Sequence, residues 1–165
     1  MKTMLDFLRN SIRLPQKEAV FTLNREGFGL PIVFLCFILL LVSLPLGVQM
    51  ALSGENMAAE VALPIFLVFF FFVYYPFFVL SVLIPLIVIT LLALLVAKFT
   101  NRKMNFFMLY KIAAFAAILP VIGLGITILI GSALLETIWI GLSVVYLTFI
   151  LIRVVFIYPK RKSAR

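Results

Sequence analysis

Residues able to do chemistry are few in this chain and far apart. The six carboxylates, Asp6, Glu18, Glu26, Glu55, Glu60 and Glu136, are scattered rather than grouped as a dyad or a metal cluster. Histidine is absent, which removes the commonest general base and the commonest metal ligand. The lone Cys36 lies among Val33, Phe34, Leu35, Phe37 and Ile38 with no second thiol in the chain; a thiol in that setting serves as a small apolar residue. No GxxxxGK(S/T), GxSxG or HExxH occurs, and "GLG" at 123–125 lacks the third glycine of a dinucleotide loop. The expectation is a protein with no catalytic, cofactor or metal residues, and so not an enzyme.

One ionisable residue stands out as a candidate ion or partner site. Glu136, with Thr137 and Trp139 nearby, falls where two apolar runs meet. Dipping into a bundle, it could bind a cation or a proton or pair with a partner; as a solvated turn carboxylate it would do none of these. Arg153 follows 17 residues later, about 25 Å along a helix, so the two cannot pair on one helix. Arg153 is expected to snorkel to the inner headgroups.

The elements that must position these residues follow from composition and charge. With 65% hydrophobic and 12% charged residues, against roughly 25% charged in soluble domains, the chain is expected to be a single integral membrane domain. Its 14 basic residues fall in three blocks: Lys2 to Arg25, then Lys98, Arg102, Lys103 and Lys111, then Arg153 to Arg165. Residues 51–60 carry only Glu55 and Glu60, and the turn near 131–137 carries only Glu136. By the positive-inside rule all three basic blocks face the cytoplasm, so the chain crosses an even number of times between them. That predicts an all-α bundle of four transmembrane helices, 30–50, 76–97, 112–132 and 137–158, with both termini inside and a basic tail at 159–165. The run from Leu30 to Met50 is 21 residues, longer than the roughly 7–15 of a signal-peptide core, and is expected to be retained.

The uncharged stretch from Val61 to Ala97 is too long for one span. At about 1.5 Å per residue it reaches about 55 Å, against about 30 Å of hydrocarbon. Tyr74, Tyr75 and Pro76 suggest an aromatic belt with a helix break. The segment 61–75 is therefore expected to be interfacial or re-entrant in the outer leaflet, or part of a long, tilted and broken helix. Kinks are expected at Pro45, Pro85 and Pro120.

At the amino terminus Met1, Met4, Leu5, Leu8 and Ile12 fall within roughly a 100° sector of a helical wheel, with Lys2, Asp6, Arg9 and Arg13 beside it. An amphipathic helix over 1–14 is expected on the anionic cytoplasmic leaflet, or docked on another protein. Lys2, Arg9, Arg13, Lys103 and Arg161 are the expected lipid-surface contacts. The basic residues flank spans and do not interleave with aromatics in a soluble segment, so no nucleic-acid partner is expected. Small residues at four-residue spacing, Ser43, Gly47 and Ala51 and then Gly123, Thr127 and Gly131, form candidate helix-packing ridges.

The order "LPQKEAVFTLNREGFGLPIVFLCFILLLVSLP", a long apolar segment and "RKMNFFMLYKIAAFAAILP" resembles a family of small integral membrane proteins from Gram-positive bacteria, some labelled maltodextrin-utilisation membrane proteins. More distantly, the second segment is similar to Yip-type membrane domains, in which a basic and aromatic linker leads into an alanine-rich span with a proline. Pro15, Leu23, Arg25, Gly27, Pro45, Lys103, Tyr110, Lys111, Ala113 and Pro120 carry the resemblance. Two features depart from it: the connection at 51–60 is short for the bacterial family, and Yip-type domains have five spans where the charges here indicate four. The resemblance implies a membrane accessory role and names no reaction or ligand.

Together these readings give a non-catalytic accessory or regulatory protein of the bacterial plasma membrane, working through helix packing and lipid contact. Its expected partners are membrane lipids and either another membrane protein or a second copy of itself. The alternatives are a small transporter or channel subunit, or a lipid-handling protein, the last suggested by the phenylalanine-rich segment 66–78.

Overall fold

A computed structural model describes residues 4–25, 27, 29–52 and 63–159. Among them the chain is helical, without a β-strand: α1 (Met4–Ile12), α2 (Lys17–Asn24), α3 (Gly29–Leu52), α4 (Leu63–Phe69), a π-helical turn (Phe70–Tyr74), α5 (Tyr75–Phe99), α6 (Phe106–Ile130) and α7 (Ala133–Ile157). Four stretches are long and apolar enough to cross a membrane, Gly29–Val48, Pro64–Phe99, Phe106–Ile130 and Ala133–Ile157. The protein is an all-α, multi-pass membrane helix bundle. Lys98, Arg102, Lys103 and Arg153 mark its basic end, and Glu136 its acidic end.

Helix α6 is the centre of the bundle. It packs against α3, α5 and α7 along its length and against α1 and α2 near its start. The sequence explains why: Ile112 to Ile118 reads IAAFAAI, and every one of these side chains is buried. Alanines let neighbouring backbones come close on several sides at once, and an apolar helix with no polar face belongs inside a bundle.

Residues 63–99 are helical throughout, the ladder widening at the π turn without stopping. Pro76, just beyond it, has no N–H to offer the carbonyl four residues back, and its ring crowds that carbonyl. A π turn opens the ladder locally, and the Tyr75 N–H bonds the Phe70 carbonyl. Of the geometries that the length of this stretch allows, the structure has the long helix, with α5 as its second half; residues 61 and 62 lie outside the described part. Phe66, Phe70, Tyr74 and Phe78 form a ladder of rings four residues apart, with centroids at 6.3, 5.3 and 6.4 Å. Phe70 is buried where it meets Gly47 of α3; a Cβ on that glycine would stand 2.7 Å from the ring. The Tyr75 hydroxyl donates to the Cys36 carbonyl at 2.8 Å, a second tie between the same two helices.

The connection from α6 to α7 is only Gly131 and Ser132, so α7 starts four residues before the expected 137. Gly131 has φ +73°, and its N–H reaches the carbonyls of Ile128 at 3.0 Å and Thr127 at 3.2 Å. This is a left-handed helix terminus, which glycine enters without steric cost. Replacing Gly131 with valine is expected to cost about 1–2 kcal/mol, and asparagine, which tolerates this conformation, should recover part of it. Thermal unfolding of the purified protein in detergent would check the order Gly, Asn, Val; a valine variant as stable as the parent would refute it.

Candidate functional site

The amino-terminal segment does not stand apart from the bundle. Helix α1 packs against α6 and α2, with Ser11 buried and Leu8 half-buried against the core. Arg9 and Arg13 remain exposed, as does Lys103; Lys2 and Arg161 lie outside the described residues. Helix α2 turns Ala19, Val20 and Leu23 inward and leaves Lys17 and Glu18 exposed. A short amphipathic helix with three apolar residues on one face needs a neighbour to cover them, and here α6 and α7 provide it.

Two cations tie this end together. Lys111, in the second turn of α6, donates from Nζ to the Asn24 carbonyl at 2.6 Å. Asn24 ends α2, whose last carbonyls have no partner within the helix and carry its negative dipole end. Lys111 thus caps α2 from another helix. Arg102, between α5 and α6, donates to the Tyr158 carbonyl at the end of α7, and its guanidinium sits 5.7 Å from the centre of the Phe156 ring. The Lys103 N–H extends the tie to the Pro159 carbonyl at 3.4 Å. Tyr158 is buried against Phe21 of α2, with ring centroids 5.2 Å apart. Burial pushes its phenol up from the usual range, and the Asn24 side chain beside it offsets part of that push.

Between α6 and α7 runs an apolar groove of about 720 Å³, within the range of small-molecule sites. Trp139 closes one end. Its indole Nε1 donates to the Pro120 carbonyl at 2.9 Å, and its ring lies so close over Gly123 that any Cβ there would overlap it. At the basic end a second cavity of about 450 Å³ lies among Pro15, Gln16, Arg153, Phe156 and Ile157, between the α1–α2 turn and α7. A third, about 330 Å³, lies between α5, α6 and α7, with Pro85, Pro120 and Trp139 in its wall.

Glu136 lies in the first turn of α7, half-buried, near the positive end of the helix dipole and within electrostatic reach of the Tyr74 phenol. Arg153 is exposed, its guanidinium 5.7 Å from the centre of the Phe149 ring on the same helix. No group of three or more Cys, His, Asp or Glu that could hold a metal ion occurs among the described residues.

The candidate packing residues take different roles. Gly47 receives Phe70, and Gly123 receives Trp139. Ser43 and Thr127 are buried and donate their hydroxyls to carbonyls of their own helices. Gly131 terminates α6 with open space around it. Ala51 is helical, and its side chain is outside the described part. The spacing rule passed over Gly125, where a Cβ would stand 3.0 Å from a Val42 methyl of α3. It equally passed over Lys111, counted in sequence only as a topological charge; its place six residues into an apolar helix was the available signal. No family model, curated protein or solved structure matches this chain.

Two substitutions probe this arrangement. Gly123→Ala is expected to destabilise the protein by about 1–3 kcal/mol through overpacking, and by much less in a Trp139→Leu background, because the two residues share one contact. Equal costs in both backgrounds, measured by thermal unfolding, would exclude that contact. Lys111→Met removes a charge-assisted hydrogen bond worth about 1.5–3 kcal/mol. Amide hydrogen exchange should then speed up roughly ten- to a hundredfold in α2 and stay unchanged in α3.

Proposed function

We propose that this chain is a non-catalytic accessory or regulatory protein of the bacterial plasma membrane that acts through helix packing and lipid contact. The basic end faces the cytoplasm in this reading, as the distribution of lysine and arginine requires. One observation carries it: the surface left uncovered by the α4 to α5 helix. The apolar window of that helix is 22% buried, against 61% for α6. Phe69, Phe72 and Phe77 are 54%, 78% and 70% exposed. Aromatic rings offer large contact areas at little entropic cost, and in lipid such contact is what drives helices together.

The hydroxyls inside the spans support the same reading over a polar solute path. Ser43, Ser81, Thr90, Thr127, Ser143 and Thr148 each donate to a carbonyl three or four residues back on their own helix. A hydroxyl engaged in this way has committed its one donor and has only acceptor lone pairs left to offer a solute. The apolar groove between α6 and α7 favours lipid handling as the second reading.

Affinity purification from native membranes in mild detergent tests the proposal. A membrane protein or a second copy should be recovered in stoichiometric amount. Phe72→Asn combined with Phe77→Asn should lower that recovery about tenfold or more without shifting the melting temperature. Recovery of a monomer bound to no protein would defeat the accessory reading.

A further inference from the structure

The two cavities beside α7 are joined by a single stripe of that helix. Trp139, Leu142, Tyr146 and Phe149 line the larger groove, while Arg153 and Phe156 line the chamber at the basic end. These residues alternate steps of three and four, so they share one helix face. Phe149 and Arg153 are in contact, ring to guanidinium, at the boundary between the cavities. From Arg153 to Trp139 is fourteen residues, about 21 Å along a helix. One leaflet with its headgroups is about the same thickness.

We propose that this stripe holds one resident anionic phospholipid, its phosphate on Arg153 and an acyl chain along the α6–α7 groove toward Trp139. Chemistry at the two ends fits such an occupant. The groove wall is apolar, with the Ser143 hydroxyl engaged to the Trp139 carbonyl at 2.7 Å. Arg153 and Gln16 both line the chamber, with Pro15, Phe156 and Ile157 as its apolar members. Guanidinium groups match phosphate oxygens in two-pronged geometry and remain charged at any physiological pH. Among the described residues no carboxylate pairs with Arg153. The charges adjoining Gln16 on its own segment are Arg13, Lys17 and Glu18, so the surroundings are net positive and select against a headgroup that brings its own cation. Snorkelling to bulk headgroups would engage any phospholipid in passing; a basic cavity in line with an apolar groove on the same helix face offers one lipid a site for both its ends.

The inference goes beyond the accessory reading and does not depend on it, because lipid selectivity at Arg153 and partner recovery through Phe72 and Phe77 are separate readouts. Trp139 is the single tryptophan of the chain and sits at the tail end of the groove, so it reports occupancy directly. The full chain is reconstituted in phosphatidylcholine vesicles containing a few per cent of phosphatidylglycerol brominated on its acyl chains, or of equally brominated phosphatidylcholine. Phosphatidylglycerol should quench Trp139 at mole fractions at least tenfold lower than phosphatidylcholine, and the quenching should saturate. Arg153→Gln should abolish the difference between the lipids, whereas Arg9→Gln with Arg13→Gln, on the exposed arm, should preserve it. Leu142→Phe narrows the groove without touching the charge and should weaken quenching by both lipids, a check that stands even if the Arg153 variant fails to fold. Equal quenching by the two lipids in the parent protein, or a preference that survives Arg153→Gln, would overturn the proposal.

Discussion

In hydrocarbon, helices gain little from hiding apolar surface, because the lipid is as apolar as they are; close approach is what holds them together. Everything in this fold therefore depends on how near other helices can come to α6. Its IAAFAAI run supplies a narrow shaft, and all seven residues are buried. Glycines extend the effect to particular rings and methyls. Gly123 accepts the indole of Trp139, Gly125 meets Val42, and Gly47 on α3 accepts Phe70. A bulkier α6 would separate α3, α5 and α7 and leave each with only lipid to touch.

The basic end uses a different force. There the backbone carries carbonyls that helices cannot satisfy internally. Lys111 and Arg102 meet two of them, at Asn24 and Tyr158, and so fasten α2 to α6 and the α5–α6 connection to α7. The cations on which the expected topology rests are thus also used as hydrogen-bond donors in space. This explains how two short helices remain on the bundle although α2 buries only Ala19, Val20 and Leu23.

Much of the architecture was legible in the sequence because membrane insertion is governed by one-dimensional quantities, length and charge. The three basic blocks led to an expectation of four spans, and these overlap the four long apolar helices of the structure. Boundaries were less legible. The expected spans 112–132 and 137–158 leave Glu136 between them, yet a left-handed Gly131 ends α6 so sharply that Glu136 is already inside α7. Aromatic-rich 66–78 suggested a break because Pro76 lacks a donor, whereas the π turn accommodates it within one continuous helix. The candidate site was hardest to see. Trp139 and Arg153 are fourteen residues apart and line two separate cavities, which exist only once α6 lies beside α7 and the α1–α2 turn reaches the end of α7. Such a meeting is tertiary, and no local pattern announces it.

The uninterrupted helix from 63 to 99 has a mechanical consequence. At about 55 Å it is nearly twice the thickness of the hydrocarbon layer; even tilted by about 40° it would rise about 42 Å, as far as the headgroups on both sides. Its α4 end makes no extensive contact with α3, α6 or α7 and exposes Ile65, Val68 and Phe69. Apolar side chains held at headgroup depth favour a locally thicker membrane. The protein carries a built-in ruler, and membranes that match its length are those in which it is most at ease.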